Sequence, residues 1–193
     1  MAAAEEVRWR TTWKAGYTRD ALYFGFCCQE PDLAGVRDDA VDQRMSHFWN
    51  QDCVGVALEP RRMWPAIGFL ANARGSRWSM VGYQPHSDYR WQAAAQREAG
   101  CWSVVLRIPF VCLGRKPGEP LRFNVSRIIP QPQKGKGEIV HRWVACQPLP
   151  QSRLIFDADN PADLGWLTFV ANPSLLNGGD RKGIRCNKNM KSK

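Results

Sequence analysis

The chain contains no apolar run approaching the roughly 20 residues that cross a bilayer. Its opening, Met1-Ala-Ala-Ala-Glu-Glu6, lacks the basic start and apolar stretch of a secretory signal. No membrane span is expected, and the segments themselves assign no compartment. Histidine is scarce, with three in 193 residues (His47, His86 and His141), none in metal-binding spacing. No Gly-x-Ser-x-Gly elbow occurs, which excludes that serine-hydrolase pattern. Carboxylates for glycoside cleavage are present among Asp38, Asp39, Asp157 and Asp159, all in loops. Helical periodicity is weak throughout, and residues 92–98 allow about two turns of helix at most. Seven cysteines are an odd number, and no pair has the short-loop spacing of a zinc site. Cys27 and Cys28 are neighbours on a predicted strand, so their side chains point to opposite faces.

What is present is strand alternation. In Gly100-Cys-Trp-Ser-Val-Val-Leu-Arg-Ile-Pro109, Trp102, Val104, Leu106 and Ile108 share one face, with Ser103, Val105 and Arg107 on the other. Leu121, Phe123 and Val125 alternate in the same way with Arg122, Asn124 and Ser126. Gly114, Pro117, Gly118 and Pro120 punctuate the link between the two segments. Further strand signals lie at residues 7–14, 21–28, 52–58, 67–72, 77–82, 139–146 and 165–170. Residues 29–50 form a polar loop, acidic around Asp38, Asp39 and Asp42, and residues 130–138 read as a loop by composition. The pattern predicts an all-β chain, an immunoglobulin-like or jelly-roll type antiparallel β-sandwich with little helix. A chain of this length buries a core without disulfides or metals.

The formal net charge is +9, which raises the question of a polyanion partner. Residues 180–193 carry six of the positive charges and one negative, so the remainder carries +4. The expected division is a folded domain over residues 1–171 and a disordered basic tail over 172–193. No nucleic-acid partner is expected, and polyanion binding stays a minor alternative resting on the tail. Nine tryptophans exceed the needs of a core this size, so some exposed indoles are expected.

Six segments occur in order: Asp20-Ala-Leu-Tyr-Phe-Gly-Phe26, Phe48-Trp-Asn-Gln-Asp-Cys-Val54, Ile67-Gly-Phe-Leu-Ala-Asn-Ala-Arg-Gly75, Trp102-Ser-Val-Val-Leu-Arg-Ile-Pro-Phe110, Leu121-Arg-Phe-Asn-Val-Ser-Arg127 and Asn160-Pro-Ala-Asp-Leu-Gly165. Together they resemble carbohydrate-binding module family 9 over residues 7–170. The resemblance implies non-catalytic binding of a soluble mono- or oligosaccharide, or of a polysaccharide chain end, clamped between aromatic rings. It also implies a structural calcium ion, association with glycoside hydrolases in carbohydrate catabolism, and a secreted or periplasmic location. A monomer is expected. The family opens with a further strand before the region matching Val7, which is expected to mean either an N-terminally truncated copy or a misplaced gene start.

A pyranose presents an apolar C–H face that stacks on an indole and a rim of hydroxyls that needs planar polar partners. By the resemblance, Trp49 supplies one clamp ring and Asp52 an acidic position of the same motif. Trp143 is the candidate for the second ring, and Asn72 and Arg127 are candidates for the rim. Each has a structural alternative: Trp49 in the core, Asn72 capping a turn before Gly75, and Arg127 as a solvated strand residue or paired with Asp52. Gly55 stands where the family carries a glutamate. Losing that charged acceptor costs ~1.5–3 kcal/mol, so a degenerate scaffold without sugar binding is the alternative function.

Overall fold

The computed structural model describes residues 10–39, 51–60, 66–82, 84–85, 89–132, 139–145, 164–170 and 182–187, of which 131–132, 139–145, 170 and 182–187 are described by their backbone. The described residues form twelve strands and one short helix. The strands are β1 (Thr11–Tyr17), β2 (Ala21–Gln29), β3 (Cys53–Glu59), β4 (Ile67–Asn72), β5 (Arg77–Val81) and β6 (Gln84–Pro85). They continue with β7 (Gln92–Glu98), β8 (Cys101–Pro109), β9 (Leu121–Pro132), β10 (Ile139–Ala145), β11 (Gly165–Val170) and β12 (Lys182–Asn187), while Phe110–Leu113 forms the helix α1. Hydrogen bonding runs in the order β6-β5-β4-β3-β9-β11-β12-β1-β2-β8-β7, with β10 beside β9. Every pairing is antiparallel.

The path folds over so that two sheets lie face to face, as the alternation predicts. Leu22, Phe24 and Phe26 of β2 and Trp102, Val104, Leu106 and Ile108 of β8 meet Val54, Val56 and Leu58 of β3 and Leu121, Phe123 and Val125 of β9 in one core. Ring contacts join the two layers, with Phe24 and Phe123 centroids 6.4 Å apart and Trp13 and Phe123 5.7 Å apart. A second apolar cluster, including Cys53, Ala57, Leu70, Trp78, Met80 and Ile128, lies on the opposite face of the β3–β4–β5–β9 sheet.

Residues 92–98 form β7, because the free edge of β8 supplies a ladder and Ala93 and Ala95 then pack against the core. Two local expectations give way. Pro130, Gln131 and Pro132 extend β9 instead of opening a loop. Beyond Ile128 this strand has left its β3 partner, and an edge position tolerates prolines that have no N–H to offer. Within the tail expected to be disordered, Lys182–Asn187 forms β12 between β11 and β1. Each neighbour offers it a row of backbone donors and acceptors, a driving force that basic composition conceals.

Candidate functional site

Asp52, Asn72 and Arg127, three of the residues singled out by sequence, converge on the root of the segment between β2 and β3. Arg127 lies in β9 opposite Val54 and is completely buried. Its Nη1 donates to the Gln29 carbonyl at 3.0 Å and to Thr11 Oγ1 at 3.4 Å, and its Nη2 donates to Glu30 Oε2 at 3.1 Å. Its guanidinium carbon sits 5.5 Å from the Trp102 ring centroid. Asp52 Oδ1 lies 4.0 Å from Arg127 Nη2 and has no hydrogen-bond partner among the described residues. With Glu30 already balancing Arg127, Asp52 is the surplus acid of a buried group. Desolvation pushes its pKa up to about 6; the Arg37 N–H bond and the Arg127 charge pull it down, and the Glu30 charge adds to the rise.

Three hydrogen bonds close the base of this segment. The Arg37 N–H donates to Asp52 Oδ2 at 3.0 Å, and the Asp52 N–H donates to the Arg37 carbonyl at 2.7 Å. Gln51 Nε2 donates to Asp39 Oδ1 at 2.6 Å. Asn72, at the end of β4, is also fully buried. Its Oδ1 accepts from the N–H groups of Arg74 at 3.1 Å and Ser76 at 2.9 Å, while its Nδ2 donates to the Asp38 carbonyl at 3.2 Å. The turn it caps passes through Gly75 at φ 87°, a conformation that costs glycine little. The Asp38 carboxylate is held by Arg97 and, at 3.4 Å, by Arg74.

Asp52, Asn72 and Arg127 are therefore brought together, but as interior struts and not as an exposed polar rim. Asn72 takes the turn-capping role, and Arg127 pairs with Glu30 while Asp52 Oδ1 stays 4.0 Å away. β9 runs on past Arg127 to Pro132, which places this arginine inside the sandwich. Trp49 lies outside the described residues. Trp143 is placed in β10 opposite Ile128, its side chain outside the description. Of the carboxylates considered for cleavage chemistry, Asp157 and Asp159 also lie outside the described residues, as do His47 and His86. Asn124, the head of an Asn-Val-Ser sequon, is fully buried.

Sequence reading missed one exposed indole. Trp166 of β11 is 37% exposed, with the Arg122 guanidinium 6.0 Å from its ring and Glu59 Oε2 3.1 Å from Arg122 Nη1. The three residues line up across β11, β9 and β3. The signal was available, because Trp166 and Thr168 occupy the outward parity of a strand whose inward residues are Leu167 and Phe169.

Calcium requires roughly six to eight oxygen ligands. Among the described residues no group of three or more His, Cys, Asp or Glu side chains is gathered to hold a metal ion. Glu30 and Asp38 are engaged by arginines, and Asp52 Oδ2 accepts the Arg37 N–H. Among the described residues, too, no helix is long and apolar enough to cross a membrane.

No protein-family model matches the sequence, and no curated protein sequence matches it. Solved structures do share the fold. A protein of Bacteroides uniformis described as a candidate carbohydrate-binding protein superimposes with a TM-score of 0.63 at 15% identity, over 81% of this chain and 77% of its own. A carbohydrate-binding module of family 9 from Caldicellulosiruptor kristjanssonii, in complex with cellotriose, gives a TM-score of 0.56 at 14% identity, over 81% and 73%. The same organism's family 9 module in complex with glucose gives 0.54 at 15% identity, over 81% and 74%. At these identities the likeness is one of fold.

Proposed function

We propose that this chain is a non-catalytic carbohydrate-binding module that takes a soluble sugar or a polysaccharide chain end by aromatic stacking. The observation that carries the reading is the shared sandwich, since two of the similar structures hold glucose and cellotriose. The proposed rings are Trp49 and Trp143. The tied base at Arg37–Asp52 and Asp39–Gln51 supports the choice of Trp49, because it anchors both ends of the segment that contains this residue. In this reading Asp52, Asn72 and Arg127 are positioning residues that fix the base from which the segment leaves. Association with a polysaccharide-degrading enzyme is part of the same proposal.

Affinity is expected in the micromolar to millimolar range, ~4–8 kcal/mol, because hydroxyls exchange water for protein with little net gain. Titration calorimetry with glucose, cellobiose and xylobiose tests it, with Trp49→Ala expected to abolish most of the heat and Trp166→Ala to preserve it. The reverse pattern would move the site to β11. No heat with any of the sugars would favour the degenerate scaffold, for which Gly55, between Leu70 and Ser126 in the ladder, is the specific motive.

A further inference from the structure

The outer face of the β2–β8–β7 sheet carries two cysteines on neighbouring strands. Cys27 pairs in register with Ser103, and Cys101 with Gln29, so the two cysteines are diagonal neighbours on one face. Cys27 is exposed and Cys101 half-buried, and both are free thiols. Glu98 of β7 stands opposite Cys101 and completes a row of Cys27, Cys101 and Glu98 across three strands. Burial pushes the Cys101 thiol up, and the neighbouring Cys27 thiol and the Glu98 carboxylate add to the rise. The other cysteines with described side chains are shielded. Cys28 and Cys53 are fully buried, with desolvation raising Cys28 to about 12 and Cys53 well above its usual range. Cys112 is half-buried and also raised by burial.

We propose that Cys27 and Cys101 are a peroxide-oxidisable thiol pair that closes reversibly to a disulfide across β2 and β8. The exposed Cys27 is the attacking sulfur. As thiolate it attacks one oxygen of hydrogen peroxide, the O–O bond breaks, and Cys27 becomes a sulfenic acid while the departing hydroxide takes up the proton the thiol released on ionising and leaves as water. The Cys101 sulfur then attacks the Cys27 sulfur; the S–O bond breaks, the S–S bond forms, and a second water leaves with the Cys101 proton. Two thiols and one peroxide give one disulfide and two waters, with sulfur oxidised and oxygen reduced. An exposed thiol beside a resolving one is the arrangement of peroxide-sensitive cysteines generally.

The pair sits near the root of the segment that follows β2. Gln29 and Glu30, which hold Arg127, lie two and three residues after Cys27, and the Glu30 N–H donates to the Gly100 carbonyl at 2.9 Å, beside Cys101. Diagonal sheet neighbours have Cα atoms about 7–8 Å apart, whereas disulfides favour up to about 6.8 Å. Closure therefore draws the strand ends together by about 1 Å, and a bridge formed that way is readily reduced. Its effect would be to tighten the exit of β2 and slow local opening of residues 30–39.

The test is peptide mapping of the reduced native protein after mild hydrogen peroxide, with iodoacetamide and dimedone as probes. The expected result is a mass loss of two hydrogens, a Cys27–Cys101 linked peptide that dithiothreitol releases, and little dimedone adduct. In Cys101→Ser, Cys27 should keep its sulfenic acid and give at least ten times more adduct. Amide exchange of residues 30–39 should slow in the oxidised protein. A disulfide joining other cysteines or two chains, full iodoacetamide labelling of both thiols after peroxide, or equal dimedone adduct in wild type and Cys101→Ser would overturn the proposal. The wild-type map is decisive whether or not the variant folds.

Discussion

The two sheets are alike on their inner faces and opposite on their outer ones. In the β2–β8–β7 sheet, the outward residues Cys27, Gln29, Val105, Ala94, Gln96 and Glu98 are exposed, the usual arrangement for an antiparallel sheet with one wet face. In the β3–β4–β5–β9 sheet, the outward residues Cys53, Ala57, Leu70, Trp78, Met80, Asn124, Ser126 and Ile128 are buried. A strand buried on both faces has no reason to alternate, and Cys53–Glu59 and Ile67–Asn72 are buried at every position. The proposed ligand segment departs from the doubly buried sheet, and the thiol pair lies on the wet one.

The largest effect should come from Arg127. Arg127→Ala leaves Glu30 and Asp52 facing each other without a counter-charge in a dry interior, a change worth about 3–5 kcal/mol. Urea unfolding is the measurement, and a loss below 1 kcal/mol would mean that Arg127 is solvated after all. Next comes Leu70→Ala, on the outward face of the buried sheet. It should cost about 2–5 kcal/mol through lost burial and the cavity left behind, a penalty that an open face would not exact.

These struts show where sequence legibility ends. Alternation located Trp102, Val104, Leu106, Ile108, Leu121, Phe123 and Val125 on the inner faces, because an inward-facing strand residue must be apolar whatever lies outside. Alternation is silent about what covers the other face, so Arg122, Asn124 and Ser126 read as a polar surface although they are mostly or wholly shielded. Arg127 broke the pattern, since a cation on the inward parity after Val125 required buried partners. Glu30 was invisible as one of them because it lies 97 residues away. β12 was hidden for a different reason: its pairing is a backbone property, and six lysines and arginines in the surrounding tail masked the short Ile184 and Cys186 alternation.

A moderate effect belongs to Asp52. Its folded pKa of about 6 lies above the 3.8 of the unfolded chain, so the folded state binds this proton more tightly. The resulting contribution to stability is full below pH 3.8 and is lost as pH rises through about 6. Between pH 7.5 and pH 5 the gain from this group is about 1 kcal/mol. Asp52→Asn should flatten the profile by that amount relative to wild type, which cancels the titration of every other group. A difference curve of the opposite slope would place Asp52 in a net favourable ion pair, as on an exposed rim.

The smallest effect is expected at Val105, the outward counterpart of Leu70 on the wet sheet. It is 47% exposed and stands between Gly25 and Ala94 in the ladder, so few atoms pack against its methyl groups. Val105→Thr keeps the β-branch, and with it the strand preference, while replacing one methyl by a hydroxyl that water can satisfy. The change should stay within about 0.5 kcal/mol, or within about 2 °C of melting temperature for a chain of this size. The same substitution at a covered position would bury an unpaired hydroxyl at a cost of about 1–3 kcal/mol. A drop of several degrees would therefore show that something covers Val105. If that drop grew with protein concentration, the cover would be a second copy of the chain, because mass action stabilises a dimer and leaves a monomer unaffected.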